Sequence, residues 1–198
     1  MPPPTPLLLA NPESVIQGSN KSLNFFHDGR FFIHGHFDET IATEIVPFLI
    51  QEIEKKHGMK QASIPFYINS PGGRADWLRT LLSLVELAKA KGITVETYVL
   101  AAAYSCGSVL ACSGSKGHRS VSEHAEHLCH LGYASIRGTA NDVQLGRETD
   151  RAKAHFGWVR ALYRRYAAIP DLEEVIHDDS YFIRGEDIIK NGLADKLL

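Results

Sequence analysis

The 198-residue chain has no surplus of charge of either sign: 21 Lys and Arg stand against 23 Asp and Glu, a formal net charge of -2. Acids and bases are interspersed, so there is no basic stripe of the kind that follows a phosphate backbone, and nucleic acid is not an expected partner. Cysteine is scarce. Cys106, Cys112 and Cys129 are odd in number and form neither a CxxC pair nor a spaced framework, which fits a reducing compartment rather than a disulfide scaffold. No apolar run approaches the length of a membrane span. Residues 1–10 lack a basic n-region and contain an apolar stretch of only four residues, so the expected location is cytoplasmic. No GxxxxGK(S/T) phosphate loop is present, so any use of ATP would fall to a partner.

What is there reads as one domain behind a short arm. Residues 1–23 are rich in Pro, Asn and Ser and suit an extended or mobile segment, leaving residues 24–198 as the domain. Phe31, Phe32 and Ile33 make a short strand pattern broken at Gly35. Ile41, Ile45, Phe48, Leu49 and Ile53 then recur at helical spacing, with Asp38 or Thr40 as the cap. Residues 64–68 are strand-like, Trp77, Leu78, Leu81, Leu82 and Val85 form a helical stripe, and residues 93–100 are β-branched and strand-like again. Such alternation predicts an α/β fold of stacked crossover units around a mainly parallel sheet, with ligands at the carboxyl ends of strands.

Residues 140–169 contain no Pro and no alternation. Val143, Ala152, Phe156, Val159, Leu162, Tyr163 and Tyr166 trace one face of a long helix that ends before Pro170. A helical turn over residues 172–177, a short strand at Tyr181, Phe182 and Ile183, and a helix from Gly185 to Asn191 closed by Gly192 complete the pattern.

Three segments carry chemistry. Ser105 sits where the apolar strand of residues 93–100 and the following alanines give way to the small-residue helix pattern Cys106-Gly107-Ser108-Val109-Leu110-Ala111. A serine there is either an N-cap or a nucleophile. A nucleophilic serine needs a base, a group that orients the base, and donors for the oxyanion. Ile68-Asn69-Ser70-Pro71-Gly72-Gly73 ends a strand in a turn whose glycines allow backbone to approach a substrate, so the Gly73 and Cys106 amides are the candidate oxyanion donors. His130 closes a third apolar run and is the candidate base. His124, His127 and His130 have the spacing of a ligand array, but alternate residues of a strand face opposite sides, so no metal site is expected.

Together, Ile68-Asn69-Ser70-Pro71-Gly72-Gly73, Ser105-Cys106-Gly107 leading into Gly114-Ser115-Lys116-Gly117-His118-Arg119, and His130 resemble the Clp protease proteolytic subunit family. The closing segments Tyr181-Phe182-Ile183-Arg184-Gly185-Glu186-Asp187 and Asn191-Gly192-Leu193-Ala194-Asp195 extend the likeness, which spans residues 30–198. The resemblance implies a ClpP/crotonase-like fold of stacked ββα units with a protruding handle made of a strand and the long helix. It implies a serine endopeptidase with Ser105 as nucleophile, His130 as base, Asp178 as orienter, and no metal or organic cofactor. Counting from different anchors leaves Asp179, and more remotely Asp171, as alternatives to Asp178. Implied partners are unfolded polypeptide substrates, further copies of the chain in a ring or double ring, and an AAA+ unfoldase.

The chain departs from the family pattern after His130, where Leu131-Gly132-Tyr133-Ala134-Ser135-Ile136-Arg137-Gly138 replaces a Gln-Pro and glycine-rich stretch. That departure sets a non-catalytic ring or scaffold subunit beside the peptidase reading. A crotonase-like acyl-thioester enzyme shares the architecture but works through carboxylates, and no Glu stands at a strand end near Gly73 or Ser105. A Ser-Lys arrangement would fall to Lys116, beyond the helix that follows Ser105.

Overall fold

Asp28 and Gly29 both hold positive φ, 47° and 74°, as a two-residue type I′ hairpin requires. They open the fold in a computed structural model that describes residues 22–132, 142–177 and 182–198. The turn joins β1 (Leu23–His27) to β2 (Arg30–His34) in antiparallel register, with His27 opposite Arg30. Sequence patterning finds β2 but not β1, because β1 runs against the usual rule. Its inward residue is Asn24, whose amide donates to the His36 carbonyl and to Thr40 Oγ1, both at 2.8 Å, while Leu23 and Phe25 face outward. The expected arm lies outside the described residues as far as residue 21, and Leu23 already belongs to β1.

After β3 (His36–Phe37), a π-helical turn (Ile41–Ile45) runs into α1 (Val46–Lys56). Of the two candidate caps, Asp38 does the capping: its Oδ1 accepts the Thr40 N–H at 3.0 Å. There follow β4 (Ser63–Ser70), β5 (Gly72–Gly73), α2 (Ala75–Ala90), β6 (Thr94–Tyr104) and α3 (Cys106–Cys112). Then come β7 (Arg119–Val121), β8 (Glu126–Leu128), α4 (Asp142–Tyr166), α5 (Leu172–His177), β9 (Phe182–Arg184), α6 (Glu186–Lys190) and β10 (Lys196–Leu197).

The main sheet has the order β1-β2-β4-β6-β7-β10, parallel from β2 onward. The eleven-residue β6 serves two neighbours on one edge: Thr97–Val99 pairs with β7, and Ala102–Tyr104 pairs with β8. A register shift against β4 between Ile68 and Ser70 marks the changeover. Because β4, β6 and β8 are parallel neighbours, their carboxyl ends open on one side of the sheet, and that is where Gly72–Gly73, Ser105 and His130 follow. The mainly parallel α/β architecture expected from the sequence is the one observed.

The core lies between the sheet and the helices. Phe31, Ile33, Ile64, Phe66, Ile68, Val95 and Val99 are buried against Leu49 and Ile53 of α1 and Leu78, Leu81 and Val85 of α2. Each such side chain contributes about 1.5–3 kcal/mol of transfer free energy. The seven-residue α3 is too short to persist alone and is buried throughout, so packing holds it. Its Gly107 allows the close approach, since a Cβ there would sit 3.1 Å from the Ser70 carbonyl oxygen. Arg119, 2% exposed, ties the periphery to this core. Its Nε donates to Asp195 at 2.9 Å, and its Nη1 donates to the carbonyls of Tyr166, at 2.7 Å, and Gly192, at 2.9 Å.

The long helix ends at Tyr166, as the position of Pro170 requires, but its expected apolar face changes along its length. Val159, Leu162, Tyr163 and Tyr166 are buried, whereas Val143 is 63% exposed and Leu145 48%. Residues 143–150 are all exposed, so this end of α4 projects beyond α3, against which the buried part of the helix packs. The strand part of the expected handle and Tyr181 fall largely outside the described residues.

Candidate active site

Ser105 takes the N-cap position of α3 without acting as a cap. Its side chain makes no capping hydrogen bond, and its backbone sits at φ 54°, ψ -118°, a conformation costly for a residue with a Cβ. Two backbone bonds impose it. The Ser105 N–H donates to the Leu128 carbonyl at 2.8 Å, and the Ser105 carbonyl accepts the Val109 N–H at 3.1 Å, the first bond of α3. The chain must therefore turn sharply from β6 into the helix, which leaves the hydroxyl at the strand end.

The glycine turn closes on this bend. Gly72 holds φ 93°, and a Cβ on it would lie 2.7 Å from Ser105 Cβ and 2.8 Å from the Tyr104 carbonyl oxygen. Only glycine fits there. A Cβ on Gly73 would meet the Phe37 N at 2.6 Å, since β5 pairs with β3 at this point. Next to that pairing the Arg74 N–H donates to the Phe37 carbonyl at 2.9 Å. The Gly73 carbonyl accepts the Cys106 thiol at 3.2 Å, so Gly73 and Cys106 lie against each other. The Cys106 N–H is one of the first amides of α3, which have no partner inside their own helix.

Gly73, Ser105, Cys106 and His130 border one cavity of about 860 Å³ between α2 and α4. His130 lies two residues beyond β8, just before Leu131, whose N–H donates to the Ile176 carbonyl of α5 at 3.2 Å. The alternation expected of the histidines holds for its neighbours. Cys129 and His127 point into the core, where Ser108 Oγ lies 3.2 Å from His127 Nδ1 and 3.4 Å from Cys129 Sγ. Burial drives the His127 pKa down to about 3, so it is neutral, and its Nε2 finds no partner among the described residues. His124 is on the exposed loop, and no group of three metal-ligating side chains occurs among the described residues.

Asp178 and Asp179 lie outside the described residues. Asp171 borders two other cavities at the opposite end of α5, and the Lys116 ammonium is spent on the Tyr166 carbonyl at 3.3 Å. The Cys106 thiol is pushed up to about 11 by burial, against the smaller opposing effects of its contacts with Ser105 and Gly73, so it stays protonated at neutral pH.

Sequence reasoning missed the far wall of the cavity. Arg79 from α2 and Glu148, Arg151, His155 and Trp158 from α4 all border it, and Glu148 brings a carboxylate to the site from a helix rather than from a strand end. The spacing of residues 151, 155 and 158 on one helical face was the available signal. Its meaning depended on knowing that α4 crosses the strand ends.

Comparison with known proteins gives the same arrangement a lineage. The family model for the Clp protease matches residues 16–198. The chain is 30% identical over 154 residues to the ATP-dependent Clp protease proteolytic subunit 2 of Chlamydia abortus, covering 76% of this chain and 69% of that protein. It is likewise 30% identical over 154 residues to subunit 2 of Chlamydia pneumoniae, covering 76% and 70%, and over 141 residues to subunit 1 of Chlamydia felis, covering 70% and 66%. A family match that runs through the glycine turn, the Ser105 bend and the long helix to the last residue leaves one assignment: this chain belongs to the Clp protease family.

Proposed function

We propose that the chain is a serine endopeptidase acting on unfolded polypeptides. The observation that carries this reading is that Ser105, held in a strained bend with its hydroxyl free of any capping role, shares one cavity with His130 and the Gly73 and Cys106 backbone. In the reaction, His130 takes the Ser105 proton as Ser105 Oγ bonds to the peptide carbonyl carbon. The Gly73 and Cys106 N–H groups receive the negative oxygen of the tetrahedral intermediate. His130 returns the proton to the leaving amine, the C–N bond breaks, and water then hydrolyses the acyl-enzyme by the same steps. The chemistry needs no metal or organic cofactor.

Asp178 is the proposed orienter of His130, holding the ring in the tautomer that accepts the serine proton. It follows His177 directly, and Ile176 is already bonded to Leu131 next to His130, which brings the end of α5 to the base.

The relatives are named ATP-dependent, and this chain has no phosphate loop, which supports an AAA+ unfoldase as the user of ATP. The exposed start of α4, with Val143 and Leu145 outward, supports assembly with further copies in a ring or double ring that admits only unfolded chains. No described helix is long and apolar enough to cross a membrane. Reaction of Ser105 with a fluorophosphonate tests the reading, and a ring subunit without turnover is what remains if Ser105 does not react.

A further inference from the structure

The cavity beside Ser105 is not a plain apolar slot. Leu78, Val109 and Val159 give it aliphatic walls, but its far side carries the Arg79 guanidinium, held over the Trp158 ring at 3.7 Å from the ring centroid. That spacing is a stacked contact. A guanidinium stacked by its face keeps the N–H donors of its edge available, in the fork that matches a carboxylate.

The remaining charges decide the sign of the site. Asp76 is neutralised by Arg74, which holds it with Nη2 at 2.6 Å and Nε at 3.2 Å, and Arg74 also reaches Glu39 at 2.8 Å. Glu148 and Arg151, one turn apart on α4, add one charge of each sign to the lining, with no ion pair between them. His155, lowered by burial and then by the nearby Arg79 charge, is neutral at neutral pH. Arg79 is left as the excess cation, with no ion pair among the described residues.

The geometry points to a subsite for a carboxylate-bearing substrate side chain next to the scissile bond, with Arg79 receiving the carboxylate and Trp158 fixing Arg79. This rests on the reading of the cavity as the place where a peptide is cut. The aliphatic walls take the methylenes of a glutamate-length side chain, and its charged end meets the guanidinium edge. Arg79 thus determines specificity, while Trp158 is a positioning residue that acts through it.

The test uses the full-length protein and a pair of peptidyl phosphonates that differ only in carrying a Glu or a Leu side chain beside the phosphorus. A small fluorophosphonate reports whether Ser105 reacts at all. The expected result is faster labelling by the Glu probe in wild type and a Glu-to-Leu rate ratio that falls by about tenfold or more in Arg79→Leu. Arg79→Lys, which keeps the charge without the stacked fork, gives an intermediate ratio and guards against an Arg79→Leu protein that fails to fold. Fluorophosphonate labelling of Ser105 together with preference for the Leu probe, or with a ratio that Arg79→Leu leaves unmoved, overturns the subsite and spares the peptidase reading. No labelling of Ser105 by any probe overturns that reading and the subsite with it.

Discussion

Ser105 and Leu128 share a backbone hydrogen bond, N–H to carbonyl at 2.8 Å, and that bond couples the strained bend to the strand that delivers His130. The relationship is rigid on both sides. β6 and β8 are parallel neighbours at Ala102–Tyr104, and α3 is buried along its whole length. The positions of hydroxyl and imidazole are therefore set by sheet geometry, which suits a site that must hold its groups within a fraction of an ångström.

Gly72→Ala tests the glycine turn. A Cβ there meets Ser105 Cβ at 2.7 Å in a backbone conformation, φ 93°, that alanine resists. The expected outcome is a stability loss of about 1–3 kcal/mol and a fall of about 100-fold in Ser105 labelling rate, since a displacement near 1 Å costs that much. Gly117→Ala has a similar φ of 83° with open space around it, and should lose about 1 kcal/mol with labelling unchanged. Equal effects of the two substitutions on labelling would remove the close approach as a cause.

The identity of the orienting carboxylate follows from three parallel variants. Asp178→Asn should lower kcat/KM for peptide hydrolysis by about 10³–10⁴-fold, while Asp179→Asn and Asp171→Asn stay within about tenfold of wild type. A large loss in Asp179→Asn with Asp178→Asn near wild type would move the role one residue along.

Much of this arrangement is legible in the sequence. The Gly72-Gly73 turn, Ser105 and His130 each follow an apolar run, and parallel packing of such runs brings their ends together. Three things were not legible. β1 hides because Asn24 faces inward and satisfies backbone and Thr40 groups there, which inverts the hydrophobic pattern. Val143 falls on the helical face that the spacing traces yet is exposed, because periodicity reports the face of a helix and not where the domain beneath it stops. Arg79 and Trp158 converge from helices far apart in the chain, and a cation over a ring leaves no local signature.

Stability should rise with pH between about 3 and 6.5. His127 has its pKa lowered to about 3 by burial, so below 6.5 the unfolded chain binds a proton that the folded chain refuses, and stability falls as pH drops through that window. His127→Gln should flatten the dependence of Tm on pH between 4 and 6.5, with His34 and His155, both also lowered by burial first, supplying the residual slope. Asp195 acts lower down. Burial would raise its carboxyl, but the hydrogen bonds and charge of Arg119 outweigh that and hold it at about 2, so its contribution is present above about pH 4 and lost toward pH 2. Asp195→Ala strands the buried Arg119 charge and should cost about 3–5 kcal/mol. Parallel Tm profiles for wild type and His127→Gln would contradict the assignment of that slope.

The peptidase reading stands or falls on whether Ser105 is activated, and intact-mass labelling with a fluorophosphonate measures that without knowledge of substrate or partner. Wild-type protein should gain a single adduct, absent in Ser105→Ala and about 100-fold or more slower in His130→Ala. Wild-type protein in its assembled form that gains no adduct, or an adduct that persists in Ser105→Ala, would contradict it and leave a subunit of this family without serine turnover.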